Sequence, residues 1–283
     1  MRELVKSAAI SIFQRALFDD RITNFALNGS LARRFISGGA GASFGLSATD
    51  RSELLRRFKV INRNVRSATQ WPSYLVMAEF LLNVPSSLKG DVVECGCYKG
   101  ASTAALSLLC AKVGRKLIVC DSFEGLPADL ADAQHRYPHL GATTTYHVGD
   151  FAGRLEEVKQ NIAAYGDLSV CEFVQGFYSE SLRSFDRDLV FGFFDVDLLS
   201  SMQDCIRYLW PHFRNGSIVF TDDSCDMEVV KIWFDREFWQ ANLNCEPPGY
   251  IGSGCGLPSI SPAYSSLGYA LKGVGTLSAV SFT

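Results

Sequence analysis

LVFGFFDVDLLSSMQDCIRYLWPHFRNGSIVFTDD, residues 189–223, reads as strand, helix, strand. LVFGFF and SIVFT are apolar enough to be strands buried on both faces, as in a parallel sheet, and LSSMQDCIRYLW between them has helical spacing. The first strand runs into Asp195 and Asp197, the second into the adjacent pair Asp222 and Asp223. In an open parallel sheet, ligands gather at the carboxyl ends of the strands. Four carboxylates from two neighbouring strand ends therefore converge. Like charges that close raise the energy of the site unless a cation sits among them.

The same alternation extends on both sides, from Gly90 to about residue 240. DVVEC predicts a strand, ASTAALSLLCAKV a helix, KLIVCD a strand, residues 153–165 a helix and SVCEFVQ a third strand. A short helix is expected near 179–185, and a longer one over Met227 to Trp239. LGYALKG and LSAVSF, parted by Val274-Gly275-Thr276, suit an antiparallel hairpin at the end of a mainly parallel sheet. The fold class is α/β, a doubly wound Rossmann-like sheet. Residues 1–89 carry helix patterns and no strand run: a helix to about residue 36, a small-residue hinge or loop (SGGAGASFG, 37–45), a cap at Ala48-Thr49-Asp50 before RSELLRRFKVINRNV, and a helix over 73–82. They form an N-terminal helical cap or lid, with residues 90–283 as the α/β domain.

The 283 residues are 47% hydrophobic and 20% charged, enough for a substantial core. A net charge of −3 leaves no electrostatic footprint for nucleic acid or an anionic membrane. No span approaches the ~18 apolar residues of a membrane helix, and the N-terminus lacks the features of a signal peptide. Nine cysteines are an odd count, several within apolar strand patterns, which suits reduced thiols and a cytoplasmic protein. Cys95 and Cys97 have no partner pair at zinc spacing.

The first strand of the α/β domain leads into Glu94-Cys95-Gly96-Cys97-Tyr98-Lys99-Gly100-Ala101-Ser102. A glycine-bearing turn there lets a ligand approach the backbone, and Asp121 at the end of the next strand is placed to accept two ribose hydroxyls. A pyrophosphate needs bare backbone at the helix N-terminus. This turn has bulky residues between its glycines and an acid at Glu94, which disfavours a pyrophosphate and suits a cationic, phosphate-free nucleoside such as S-adenosylmethionine. The bland reading is that the glycines only shape a tight turn.

As a set, DVVECGCYKGAS, DSFEGLP, LEEVKQNIAAYG, VQGFYSESL, FFDVDLLSS and NGSIVFTDDS resemble the macrocin O-methyltransferase family of class I S-adenosylmethionine-dependent methyltransferases, in order, over roughly residues 60–235. The resemblance implies that Glu94, Gly96 and Gly100 hold the methionine part of the cofactor with Ser102 nearby, that Asp121 takes the ribose, and that Ser122 and Phe123 wall the adenosine. Asp150, Gln175, Gly176 and Phe177 fall on the adenine side. It further implies a divalent ion, Mg²⁺ in most relatives, on Asp195, Asp222 and Asp223, and Asp197 as general base. The chain departs from the pattern at Leu199, Ser217 and Ser224, and GYIGSGCGLPSISP near the C-terminus matches poorly.

The expected reaction is methyl transfer from S-adenosylmethionine to a hydroxyl of a small natural-product-like metabolite, with a glycosyl group as one acceptor. A catechol-type phenol methyltransferase and a non-catalytic nucleoside-binding scaffold compete with it. Either aspartate of each pair could instead cap the following helix. His135, His139 and His147, in a loop-rich stretch over 129–150, are alternative bases, whereas His212 reads as surface. Phe234, Phe238 and Trp239 read as core or dimer surface, and a homodimer through the N-terminal helices is left open.

Overall fold

The computed structural model describes residues 20–128, 134–137, 142–252 and 267–273. The first three described helices are α1 (Asp20–Ser37), α2 (Ala48–Asn64) and α3 (Trp71–Leu81); the part of the expected N-terminal helix before Asp20 lies outside the described residues. The α/β alternation follows: β1 (Asp91–Cys95), α4 (Ala101–Val113), β2 (Leu117–Asp121), β3 (Gln134–Tyr137), β4 (Ala142–Thr145), α5 (Leu155–Tyr165), β5 (Cys171–Gln175), α6 (Tyr178–Ser181), β6 (Leu189–Phe194), α7 (Leu199–Leu209), β7 (Phe213–Thr221), α8 (Met227–Val230), α9 (Arg236–Leu243) and β8 (Gly268–Leu271).

Among the described residues six strands form one sheet in the order β5-β2-β1-β6-β7-β8, parallel except that β8 runs antiparallel to β7; β3 and β4 form a separate antiparallel ribbon. From β1 the chain builds outward to β2 and β5, then returns to β6 on the other side of β1. The switch point lies between β1 and β6, and a crevice opens there at their carboxyl ends. The ladder continues one step past each strand end. Gly96 N–H donates to the Cys120 carbonyl at 3.1 Å, Asp195 N–H to Cys95 at 2.9 Å, and Asp222 N–H to Phe194 at 3.1 Å. The site residues therefore inherit the register of the sheet.

Both faces of the sheet are covered, as the continuous apolar runs require. On one face α2, α3, α4 and α5 pack with Val92, Val119, Phe191 and Phe220 in a single hydrophobic cluster, so the N-terminal helices share the core of the α/β sheet. On the other, α7 packs with a tryptophan group in which the Trp210 and Trp239 rings meet edge to face at 5.0 Å. Arg115 fastens the junction before β1, donating to the carbonyls of Pro85, Leu88 and Gly90.

Several local expectations need correction. Ser47, not the Ala48–Asp50 segment, caps α2, through a capping box with Asp50. Residues 37–45 contain a short 3₁₀ turn, Ala42–Phe44, and the buried Arg51 guanidinium binds the carbonyls of Ile36, Ala40 and Leu46 around it. α3 begins at Trp71 because Pro72 suits the first turn. The single helix read over 227–239 is broken: Asp235 receives the Phe238 amide at 3.0 Å and starts a new helix, leaving Lys231–Phe234 as a 3₁₀ turn. Phe238 and Trp239 are core, but Phe234 is 63% exposed. Of the C-terminal hairpin, the first run is β8 against β7; the second lies outside the described residues.

Candidate active site

A cavity of about 540 Å³ occupies the crevice, a size that suits a nucleoside together with a small acceptor. Its floor is the turn from β1 to α4. Gly96 has φ +83°, and a Cβ there would lie 1.7 Å from the Asp195 carbonyl oxygen, so β1 and β6 can close on each other only over a bare backbone. Gly100, with φ +84°, starts α4 and packs on Val158; it shapes the turn and is not on the cavity wall. Tyr98 between them is also left-handed, with φ 46°.

Asp121 is held from two sides: the Cys97 amide donates to one carboxylate oxygen and the Phe123 amide to the other, each at 2.7 Å. Each oxygen keeps a further lone pair for a pair of ribose hydroxyls. Burial raises the pKa of Asp121 while these amides oppose the rise. Ser122 lines the cavity and its hydroxyl links Glu124 N–H to the Gly125 carbonyl. The Phe123 ring turns instead into the core against Phe173, so its contribution to the site is its amide and not the expected wall. Ser102, Asp150, Gly176 and Phe177 line the cavity, whereas Gln175, exposed at the end of β5, does not.

Glu94 lies beneath this floor with no exposed surface, and among the described residues neither carboxylate oxygen has a hydrogen-bond partner. Burial pushes its pKa up to about 7, with the Asp121 charge adding to the rise; the Ser102 and Thr103 hydroxyls pull the other way without completing a bond. Buried polar groups are nearly always satisfied. A lone buried carboxylate beside a cavity marks a place for a cationic ligand group.

The strand-end acids meet at the opposite wall. Carboxylate oxygens of Asp195, Asp197 and Asp223 lie within 4.8 Å of one another. Asp223 is drawn over by the amides of Val196 (3.4 Å) and Asp197 (3.2 Å), and the Thr69 hydroxyl donates to Asp195 at 3.4 Å. Asp222 lines the same cavity, but the gathered trio contains Asp197 in its place: adjacent residues diverge at a strand end, and only Asp223 bends toward β6. Neither Asp197 nor Asp223 caps a helix. Leu198 precedes α7 with no side-chain cap, and Asp226 caps α8.

Burial, reinforced by the neighbouring charges of Asp222 and Asp223, drives the Asp195 carboxyl well above its ordinary range. Asp223 is displaced the same way by burial and by Asp197. Asp197 rises to about 7 through burial and Asp222, against a hydrogen bond from Tyr146. Among the described residues no ion pair reaches Asp195, Asp197 or Asp223. An all-oxygen, uncompensated donor set of this kind fits a hard divalent cation.

Sequence reading missed two contributors. Thr69 belongs to the loop between α2 and α3, whose Arg66 to Ala68 line the cavity, and no charge pattern marked it. Tyr146 stands in the stretch 129–150, which was flagged for its histidines and Asp150 and not for this phenol. Of these, His135 is fully buried in β3 against Asp226, His147 is exposed, and His139 lies outside the described residues.

A doubly wound sheet with a bare turn at its switch point, an aspartate held by two backbone amides at the end of β2 and a strand-end acid cluster define the class of nucleoside-cofactor methyltransferases. The model of the macrocin-O-methyltransferase (TylF) family matches residues 81–246, more than half of the chain. The chain belongs to that family and is an S-adenosylmethionine-dependent O-methyltransferase. No curated protein matches it in sequence. Among solved structures it is similar to the calicheamicin methyltransferase CalS11, with 17% identity, 79% of this chain and 93% of that one covered, and a TM-score of 0.54. The O-methyltransferase NovP matches at 20% identity over 80% of each chain, with a TM-score of 0.49. At such identities the likeness concerns the fold, and the CalS11 comparison carries it. No described helix is long and apolar enough to cross a membrane.

Proposed function

We propose that the enzyme methylates a hydroxyl of a sugar-bearing small molecule with the help of a divalent cation. One observation carries this reading: three carboxylates with oxygens within 4.8 Å of one another face the cavity beside the Gly96 turn. CalS11 is described as a TDP-rhamnose 3′-O-methyltransferase, which supports a glycosyl acceptor.

Glu94, sealed beneath the Gly96 turn and not itself on the cavity wall, favours the cationic methionine end of the cofactor through its unpaired charge, and Asp121 receives the two ribose hydroxyls. Ser122, Asp150 and Phe177 border the adenosine. The cofactor supplies a methyl already activated as a sulfonium. Asp195 and Asp223, with Asp222 on the same wall, hold the cation, which when present makes a nearby hydroxyl more acidic and fixes its place. Asp197 takes the acceptor's proton as the new O–CH₃ bond forms and the S–CH₃ bond breaks; its elevated pKa suits a base working near neutral pH. Holding acceptor and methyl in line supplies several kcal/mol, on the order of 7–11 in ideal cases.

The test is turnover with labelled S-adenosylmethionine on a panel of free sugars, nucleotide-linked sugars, glycosides and catechols, with and without EDTA. Methylation of a glycosyl hydroxyl that chelation abolishes and Mg²⁺ restores is the expected result. Full turnover in EDTA overturns the cation reading, and a preference for catechols overturns the glycosyl one.

A further inference from the structure

The turn between β4 and α5 brings Phe151 to the cavity in a backbone conformation that a bulky side chain disfavours. Its φ is 59°, in the left-handed region. The surroundings enforce it from both sides. Leu126 N–H donates to the Asp150 carbonyl at 3.0 Å. Gly153 lies so close to the turn after β1 that a Cβ there would fall 1.6 Å from the Tyr98 carbonyl oxygen. A glycine at position 151 would adopt this φ without strain. The chain carries a phenylalanine instead, and the ring does not go into the core: it lines the cavity and stays 39% exposed. Among the described residues, left-handed backbone outside glycine occurs at Tyr98, Phe123, Phe151, Asp197 and Asn244, and Tyr98, Phe151 and Asp197 all line the cavity. Strain held in place in this way gathers at ligand sites.

Ring contacts place Phe151 on the acceptor's side. It meets Tyr98 at 6.0 Å and Tyr146 at 5.5 Å, with interplanar angles of 88° and 82°, so neither neighbour stacks on it. Tyr146 in turn lies 4.5 Å from the His135 ring, and His135 is fastened to Asp226 in the loop that follows Asp222 and Asp223. The row of rings therefore runs from the loop after β7 to the turn after β1. It borders the path by which an acceptor bound at the strand-end acids would reach the methyl group. Phe177, the cavity's other half-exposed phenylalanine, stands past the end of β5 on the adenosine side.

We propose that Phe151 is the platform on which the sugar ring of the acceptor rests. The inference rests on the reading of the acceptor as a glycosyl group. A pyranose presents a face of weakly positive C–H groups, which suits the negative face of an aromatic ring, and it directs its hydroxyls outward to polar partners. A half-exposed phenylalanine facing a wall of carboxylates offers both kinds of surface at once.

The experiment compares the wild-type chain with Phe151→Gly and Phe151→Tyr. The readouts are kcat and KM with TDP-rhamnose, a methyl rhamnoside and catechol, calorimetry with S-adenosylhomocysteine, and the urea midpoint. Phe151→Gly should raise the sugar KM roughly 10-fold, with kcat within about threefold of wild type. Its affinity for S-adenosylhomocysteine should be unchanged, and its urea midpoint should stay near wild type, because released strain offsets the lost ring contacts. Phe151→Tyr, which keeps the ring, should keep the wild-type KM. An unchanged sugar KM in Phe151→Gly overturns the platform alone. A matching loss of S-adenosylhomocysteine affinity assigns the ring to the cofactor and overturns it. A markedly lower urea midpoint makes the ring structural and overturns it too. Turnover of catechol and of neither sugar by the wild-type chain overturns the glycosyl reading, and this inference with it.

Discussion

At the scale of single residues, the cofactor end of the site is a balance between a turn that admits no side chain and an acid that has no partner. Gly96→Ala places a methyl 1.7 Å from a backbone oxygen at φ +83°, where no flexible side chain can yield. We expect a loss above about 3 kcal/mol by chemical denaturation, since β1 and β6 must part. A variant with wild-type stability would show that the strand ends are more pliable than their register implies. Glu94 makes the opposite case, a residue kept at the expense of stability. Its pKa is raised from 4.5 to about 7. Between those values the folded protein retains a proton the unfolded chain has lost, so stability falls as pH rises across the window and stays reduced above it. Glu94→Gln should remove that slope, leaving the cofactor-free variant more stable than wild type at pH 8 by as much as about 3 kcal/mol, with little difference near pH 4.5. The same variant should bind S-adenosylmethionine more weakly. Identical pH slopes in urea titrations of the two proteins would remove Glu94 from this role. Both positions were legible as a turn and an acid; the burial that gives Glu94 its chemistry was not, because it depends on β2 and β6 closing over it.

Among the elements, the strands were easier to read than the joints. Continuous apolar runs such as LVFGFF have one stable use, between two helical layers, and β6 is buried at every position. The helix over 227–239 failed because its spacing carried through Asp235, whose carboxylate caps the next helix more favourably than it would sit mid-helix. The ribbon of β3 and β4 was unreadable for a different reason: its strands are only four residues each and mostly polar in sequence, and what anchors His135 is a contact 91 residues away in sequence. Arginines at the joints were equally silent. Arg115 gathers three carbonyls at the junction before β1 and is only 8% exposed. Arg115→Met keeps the buried stem and leaves those carbonyls without their donor. The expected loss is about 2–4 kcal/mol. Because the N-terminal helices and the sheet share one hydrophobic cluster, that loss should appear as a shift of a single denaturation transition. Two separate transitions would show that residues 1–89 fold as an independent unit.

For the whole molecule, the decisive quantity is charge that the fold concentrates without neutralising. A net charge of −3 over 283 residues gives no hint of it, since the acids are few and distant in sequence. Topology brings them together: β6 and β7 are neighbours, and their ends deliver Asp195, Asp197, Asp222 and Asp223 to one wall. The sequence pattern made that convergence visible because strand ends are where a parallel sheet exposes polar groups. It left open which acids would meet, because backbone turns after the strands decide that, and Asp197 rather than Asp222 joins the closest trio. Such a cluster destabilises the protein without a counterion and should be relieved by one. A ligand that binds only the folded state adds RT ln(1 + [L]/Kd), about 2.7 kcal/mol at a hundredfold excess over Kd, and a chain of this size gains about 2–4 °C in Tm per kcal/mol. Saturating Mg²⁺ should therefore raise Tm by roughly 5–10 °C. Burial and the neighbouring acids hold the Asp195 and Asp223 pKa values well above normal, so protons compete with the cation at low pH, and the Mg²⁺ effect should be larger at pH 8 than at pH 5.5. Asp195→Asn should raise the Tm of the metal-free protein, by removing one of the crowded charges, and abolish most of the response to Mg²⁺. A Tm that ignores millimolar Mg²⁺ at pH 8 in the wild-type protein would mean that protons alone relieve the repulsion among the four acids.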